Sequence, residues 1–422
     1  MVTLPLGAQD VSLSLDECLS IGLERNYSVR IARGEQRIAE NNAAWGNAGF
    51  LPTVGLTSGY NASLDATRTA PREGAVTTES GVLAGGFSTG LDVSWTIFNG
   101  MSVQTNWRRL RELEAMGELA ARITIEDFVA SLTAEYYNYI QQTIRLRNYR
   151  YAATLSSERL RIAEARYLLG NGSRPELLQA RVDHNADSSL YITQKERIAT
   201  ARIRLNEIMA ADEIDREFAV RDSIIAIDEG LQLGELHDRM LTSSAELARA
   251  ARSATVAGLD AKMVASRAYP FLRLSAGYGY AANSYSRGVN RRRDSWGPDA
   301  GLTFGFTIFD GNRRREIRNA RIAADNAALR TAEIETALRA DLATFWQAYR
   351  NNLQLLELER ENVVSARQNY EAARDLYMTG VMAGIELREA QMSLLDGEER
   401  LLTALYNTKM CEISLLQVSG RV

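Results

Sequence analysis

Several things are scarce in this 422-residue sequence, and each scarcity excludes something. Two histidines and two cysteines cannot supply a standard zinc cluster, so metal catalysis has no ligand set. His184 and His237 also lack a Ser or Cys nucleophile at motif spacing, and each sits in an amphipathic helical run as a surface residue. An enzyme reading therefore has no anchor, and no cofactor is expected. No run of eighteen apolar residues occurs, which excludes a transmembrane helix. It leaves a β-barrel open, because a barrel span needs only about 9–11 residues of alternating polarity. Basic charge is not in excess either, since the formal net charge is −4, so nucleic acid is not an expected partner.

What is present reads as folded and mostly helical. Hydrophobic residues make up 45% of the chain and charged residues 24%, a balance unlike that of a disordered chain. Prolines number only six, and long stretches are rich in Ala, Leu, Glu and Arg. The first residues, through Gly7, Ala8 and Gln9, resemble the tail of an export signal, with an ordinary terminus as the alternative. Cys18 and Cys411 lie near opposite ends; they pair if the ends meet and otherwise act as small hydrophobes.

An internal repeat organises the rest. Pro52 and Tyr60 match Pro270 and Tyr278 at a shift of 218. Thr96-Ile97-Phe98-Asn99-Gly100 matches Thr307-Ile308-Phe309-Asp310-Gly311 at a shift of 211. Tyr167-x-x-Gly170, Leu177 and Ala180 match Tyr377-x-x-Gly380, Leu387 and Ala390 at a shift of 210. Three anchors in one order indicate duplication, with copies at 1–210 and 232–422 and a linker at 211–231. Each copy reads as a helical stretch (14–48; 232–267), two strands (52–63 with 87–98; 270–282 with 299–309), a very long helix (101–168; 312–378), a glycine break and a last helix (175–209; 385–418). A helix of nearly 70 residues would run on the order of 100 Å and needs a coiled-coil-like assembly to cover its apolar stripe. In copy two that stripe is Ile317, Ile322, Leu329, Ile334, Leu338, Phe345 and Tyr349.

The strands alternate sharply. Val54, Leu56, Tyr60 and Ala62 oppose Thr53, Gly55, Thr57, Gly59 and Asn61, while Phe87, Leu91, Val93, Trp95 and Ile97 oppose Ser88, Gly90, Asp92, Ser94 and Thr96. Copy two sets Leu272, Leu274, Ala276, Tyr278 and Tyr280 with Leu302, Phe304, Phe306 and Ile308 against Arg273, Ser275, Gly277, Gly279, Thr303, Gly305 and Thr307. A half-buried soluble sheet would alternate too. Spanning length and a small, uncharged polar face favour a barrel with a water-filled lumen, lined by Asp92 and Arg273. Four strands cannot close a barrel, and open edges cannot sit in lipid, so several chains must contribute staves. The intervening stretches, 64–86 and 283–298, read as polar loops; the second carries Arg291-Arg292-Arg293, either a contact for outer-surface phosphates or a solvated charge run.

On these features the whole chain resembles the TolC-type outer-membrane efflux protein family. The residues carrying the resemblance are Leu15-Asp-Glu-Cys-Leu19 with Asn26, Leu51-Pro52, the two Thr-Ile-Phe-Asn/Asp-Gly motifs and the two Tyr-x-x-Gly tips. The resemblance implies a mainly α fold with a membrane β-barrel contribution, and a homotrimer whose four strands per protomer make a 12-stranded barrel. It also implies a periplasmic adaptor protein and inner-membrane pump as partners, outer-membrane lipid around the barrel, and a location in the outer membrane of a Gram-negative bacterium with a long periplasmic portion. It places a periplasmic constriction at Glu386 and Glu389, with Glu176 and Gln179 in copy one; these also suit ordinary helix starts. Its adaptor-contacting tips are Leu169, Gly170 and Asn171 with Thr379, Gly380 and Val381, and the basic latch of some members falls on Met382. A coiled-coil scaffold outside the membrane is the rival, and it leaves the four matched strands unexplained.

Overall fold

The computed structural model describes residues 12–286 and 291–421, so the export-signal reading of the first residues lies outside the described part. In chain order the elements are β1 (Ser12–Leu13), α1 (Leu15–Arg25), α2 (Tyr27–Asn42), α3 (Trp45–Ala48), β2 (Thr53–Thr69), β3 (Thr77–Asn99), α4 (Ser102–Leu168) and α5 (Arg174–Ile208). There follow β4 (Ala219–Val220), α6 (Leu233–Ser243), α7 (Ala245–Ser266), β5 (Phe271–Tyr285), β6 (Arg292–Gly305), α8 (Arg313–Met378) and α9 (Gly384–Val418). Packing divides these into two units. One takes the chain up to Gln36, Glu118–Arg249 and everything from Ala332; the other takes Arg37–Gly117 and Ala250–Thr331.

The first unit is helical apart from the short β1–β4 pair. Its α1 starts with a reciprocal cap: Ser14 Oγ accepts from the Glu17 amide at 3.3 Å and Glu17 Oε2 from the Ser14 amide at 2.8 Å. The stretch expected at 14–48 is not one helix. Asn26 ends α1, and its Oδ1 accepts from the Val29 amide at 3.2 Å to restart the chain as α2. Ser244, 218 residues on, does the same between α6 and α7 through the Leu247 amide. Side-chain acceptors at both positions compete with the helical ladder, so the break recurs in both copies.

Along α8, Leu342, Tyr349, Leu356, Val363, Tyr370 and Tyr377 are all buried and spaced by seven. A strict seven-residue repeat over five intervals is the signature of a left-handed supercoil. The same spacing runs through Ala180, Asp187, Gln194 and Ala201 of α5, which puts two polar groups in a buried seam. Ile322 and Leu329, part of the stripe expected in copy two, are more than half exposed in the single chain.

Residues 211–231, expected as a linker, are ordered. Their β4 pairs in parallel with β1, and Phe218, Ile225 and Leu231 are buried among the helices. Tyr136 donates to Asp222 Oδ2 at 2.7 Å and Tyr139 to the Phe218 carbonyl at 3.1 Å; Tyr349 donates to the Asp228 carbonyl. Cys18 is buried and Cys411 half-buried, and both are free thiols.

The second unit holds one antiparallel sheet of order β2-β3-β5-β6, flanked by helical segments tied through Arg109–Asp260 and Arg252–Glu112. Register groups the faces as the alternation requires. Val54, Val93, Ala276 and Ala300 form one cross-strand row, and Leu56, Leu91, Tyr278 and Pro298 the next. At the foot of β3 an irregularity puts Phe98, not Ile97, opposite Leu272.

Both hairpins exceed the expectation. The presumed loop 64–86 is mostly strand, with Leu64 opposite Leu83 and pairing resumed from Thr67–Glu79 to Thr69–Thr77. Likewise Arg292–Pro298 pairs with Tyr278–Ser284, while 287–290 lie outside the described residues. Polar composition does not stop a ladder made by backbone groups when both faces are solvated. Conversely β6 ends at Gly305 and not at 309, because its partner β5 begins at Phe271, directly after Pro270.

Candidate functional site

The turns joining α4 to α5 and α8 to α9 are built alike. Gly170 and Gly380 have φ of +77° and +81°. The Gly170 amide donates to the Tyr167 carbonyl and Asn171 to Arg166; Gly380 donates to Tyr377 and Val381 to Leu376. This is the left-handed helix stop that glycine adopts without a Cβ penalty. Leu169, Thr379 and Val381 are exposed around it.

Between the two turns is a cavity of about 650 Å³, lined from α4 by Arg159 and Arg166 and from α5 by Glu176, Gln179 and Asp183. Tyr377, Met382 and Arg388 complete it from the second copy. Arg166 donates to the Tyr377 carbonyl at 2.7 Å, a cation meeting the last carbonyls of α8, and its guanidinium lies 4.5 Å from the Tyr377 ring centre. Burial pushes the Tyr377 hydroxyl pKa up. Glu176 Oε1 stands 3.9 Å from Arg166 Nη1, and Gln179 Nε2 donates to Asp183 Oδ1 at 2.9 Å. Arg159 pairs with Asp183, both largely buried.

Arg388 on α9 donates twice to Asp187 on α5 at 2.7 and 2.9 Å. The Asp187 side chain is only 2% exposed. Hydrogen bonding to Asp187 raises the Arg388 pKa further. The α4–α5 and α8–α9 hairpins are therefore joined although Met382 is not basic.

Of the residues expected at the constriction, Glu176 and Gln179 line this cavity and Glu386 and Glu389 do not. Glu386 is exposed, and its Oε2 accepts from the Ala383 amide at 3.3 Å, the position of a helix-capping acid. Glu389 is exposed on the next turn. Arg166, Arg388 and Asp187 were missed because none lies in a tip motif; the available signal was the seven-residue spacing that puts Asp187 in the α5 seam.

In the sheet, Asp92 lies opposite Gly55 and Gly277 and Arg273 opposite Thr96 and Thr303, all on the polar face. Among the described residues no helix is long and apolar enough to cross a membrane.

A family model described as outer membrane efflux protein matches residues 19–211 and 236–421. No curated protein gives a match. Solved structures with the same fold include the Campylobacter jejuni CmeC outer membrane channel, 16% identical, with a TM-score of 0.79 over 96% of this chain and 85% of that one. The Vibrio cholerae outer membrane protein VceC is 16% identical, with a TM-score of 0.77 over 96% of both chains. The open state of the Neisseria gonorrhoeae MtrE outer membrane channel is 14% identical, with a TM-score of 0.69 over 100% of this chain and 93% of that one. Two of these three neighbours are described as outer membrane channels, and a coiled-coil scaffold outside the membrane is not favoured.

Proposed function

The chain belongs to the outer membrane efflux protein family and is an outer-membrane efflux duct of a Gram-negative bacterium; on that premise we propose how it assembles and what gates it. The observation that carries the proposal is the sheet. It has four strands, two free edges at β2 and β6, and one face on which Val54, Leu56, Tyr60, Leu302 and Phe304 are each more than 60% exposed. Such a face suits lipid, and such edges must be paired inside lipid. Three copies supply twelve strands and close the barrel, with Asp92 and Arg273 in the lumen. The exposed Ile322 and Leu329 find cover on neighbouring copies in the same assembly.

Repeats 1–210 and 232–422, joined by the linker 211–231, are two copies of one ancestral unit, so the trimer presents six near-equivalent hairpins at the periplasmic end. A periplasmic adaptor protein docks on the exposed tips at Leu169, Gly170 and Asn171 and at Thr379, Gly380 and Val381, and connects the duct to an inner-membrane pump. The pump chooses the cargo, whether small molecule or exported protein, and this chain conducts without making or breaking covalent bonds. Glu386 and Glu389 are exposed on α9 and narrow the pore as a carboxylate ring, with Glu176 and Gln179 behind them. Like charges crowding a narrow pore hold cations and repel anions. In single-channel recordings of reconstituted protein under a salt gradient, Glu386→Gln with Glu389→Gln is expected to lower cation preference; an unchanged reversal potential removes both from the gate.

A further inference from the structure

The polar face of the sheet is uneven along its length. Row Thr57–Gly90–Gly279–Gly297 and row Thr53–Ser94–Ser275–Gly301 carry small uncharged side chains. Between them lies Gly55–Asp92–Gly277–Asp299, with two carboxylates. The next polar row beyond Ser275 is Thr96–Arg273–Thr303, with one guanidinium. Asp92, Asp299 and Arg273 are all exposed.

The glycines of the acidic row make room for its charges. A Cβ at Gly55 would stand 3.0 Å from Asp92 Oδ2, and one at Gly277 would stand 2.8 Å from Asp299 Oδ1. Each carboxylate thus leans over the neighbouring strand instead of projecting straight from its own. Thr57 Oγ1 holds Asp92 there by donating to Oδ1 at 3.1 Å.

We propose that these rows form a two-step charge filter inside the barrel, acidic at Asp92 and Asp299 and basic at Arg273, distinct from the constriction at the helical tips. The proposal rests on the reading of the sheet as one third of a closed barrel. Three chains then place six carboxylates in one belt and three guanidinium groups in the other. Gly277 is four residue steps along β5 from Arg273, about 13 Å at roughly 3.3 Å per residue. That exceeds a Debye length of about 8 Å at physiological salt, so the belts act on a passing ion one after the other. A solute entering from the hairpin ends passes Asp65 and Arg293, which lie on the same polar face nearer the hairpins, and then meets the acidic belt before the basic one. With six carboxylates against three guanidinium groups, the two belts together favour cationic over anionic solutes, and more so at low ionic strength.

The test is a reporter thiol at Ser275, midway between the belts. In reconstituted full-length protein carrying Ser275→Cys, cationic and anionic methanethiosulfonate reagents of similar size are applied from the hairpin side. Modification of residue 275 is read by mass spectrometry, which separates it from Cys18 and Cys411. The expected cationic-to-anionic rate ratio is above one, on the order of threefold at physiological salt, where the net charge stands about one Debye length away, and larger at low salt. Adding Asp92→Asn with Asp299→Asn should invert the preference, because Arg273 remains. Adding Arg273→Gln should raise it. A ratio indifferent to all three substitutions overturns the filter while leaving the barrel intact. A Ser275→Cys that reacts no faster than Leu274→Cys on the apolar face overturns the barrel reading itself, and the filter with it.

Discussion

Replacing Arg388 by Met isolates the tie between the two helical hairpins at the tip. The guanidinium makes two hydrogen bonds to Asp187, at 2.7 and 2.9 Å, and the Asp187 side chain is 2% exposed in the α5 seam. At an effective dielectric of about 20, charges about 4 Å apart attract by about 4 kcal/mol. Removing one partner leaves the other charge buried and uncompensated, which costs about 3–5 kcal/mol. Arg388→Met with Asp187→Asn removes both charges, and should recover most of that loss. The double-mutant coupling is therefore expected to exceed about 2 kcal/mol, far above the few tenths seen for independent sites. The assay is amide hydrogen exchange of purified protein over 176–194 and 384–397. A local loss of about 3 kcal/mol speeds exchange there by roughly a hundredfold, at about 1.4 kcal/mol per decade. Arg161→Gln is the control, because the Arg161–Glu158 pair on α4 is exposed on both sides and should count for little. Exchange unchanged by Arg388→Met, or a double variant as fast as the sum of the singles, would refute the idea that this pair holds the tip together.

Two other outcomes follow from local geometry. Gly100 has φ of +66°, and a Cβ there would stand 2.5 Å from the Ser266 carbonyl oxygen, whereas at Gly311 in the matching motif the nearest atom would be 3.9 Å away. Gly100→Ala should therefore cost about 1–3 kcal/mol and Gly311→Ala less than about 0.5 kcal/mol in denaturant unfolding, and equal costs would contradict the stated geometry. Burial, with the Glu17 charge second, pushes the Cys18 thiol from its ordinary value near 9 up to about 12. A raised value means that the stability tied to the protonated thiol is complete below pH 9 and is lost as pH climbs towards 12. Cys18 should resist alkylation at pH 9 in the native protein and react readily in urea; rapid native labelling would show that it is not buried.

Much of this fold was legible because length and period are strong signals. The long helices begin and end within about a residue of where the glycine breaks and the Thr-Ile-Phe-Asn/Asp-Gly motifs put them, since a helix of nearly 70 residues has few alternative ways to be covered. The apolar sheet face was legible because period-two alternation survives the pairing of four strands, apart from irregularities between Asp65 and Thr67 and at Ile97. Hairpin lengths were not, because Thr77–Gly81 and Arg292–Ser295 are polar on both faces and read as loop, while backbone pairing is indifferent to that. The breaks at Asn26 and Ser244 depend on one side-chain acceptor each, below the resolution of periodicity. At the tip, the turn glycines were visible as motifs, but the Arg388–Asp187 tie joins residues 201 apart that no local pattern connects. Cys18 and Cys411 stay apart as thiols, an outcome that spacing alone left open.

The most direct test of the assembled duct is the mass of the detergent-extracted protein by sedimentation, paired with conductance in planar bilayers. The account predicts one species of three chains that stays dispersed only in detergent and opens ion-conducting pores when reconstituted. A monodisperse monomer stable without detergent, giving no pores, would contradict it.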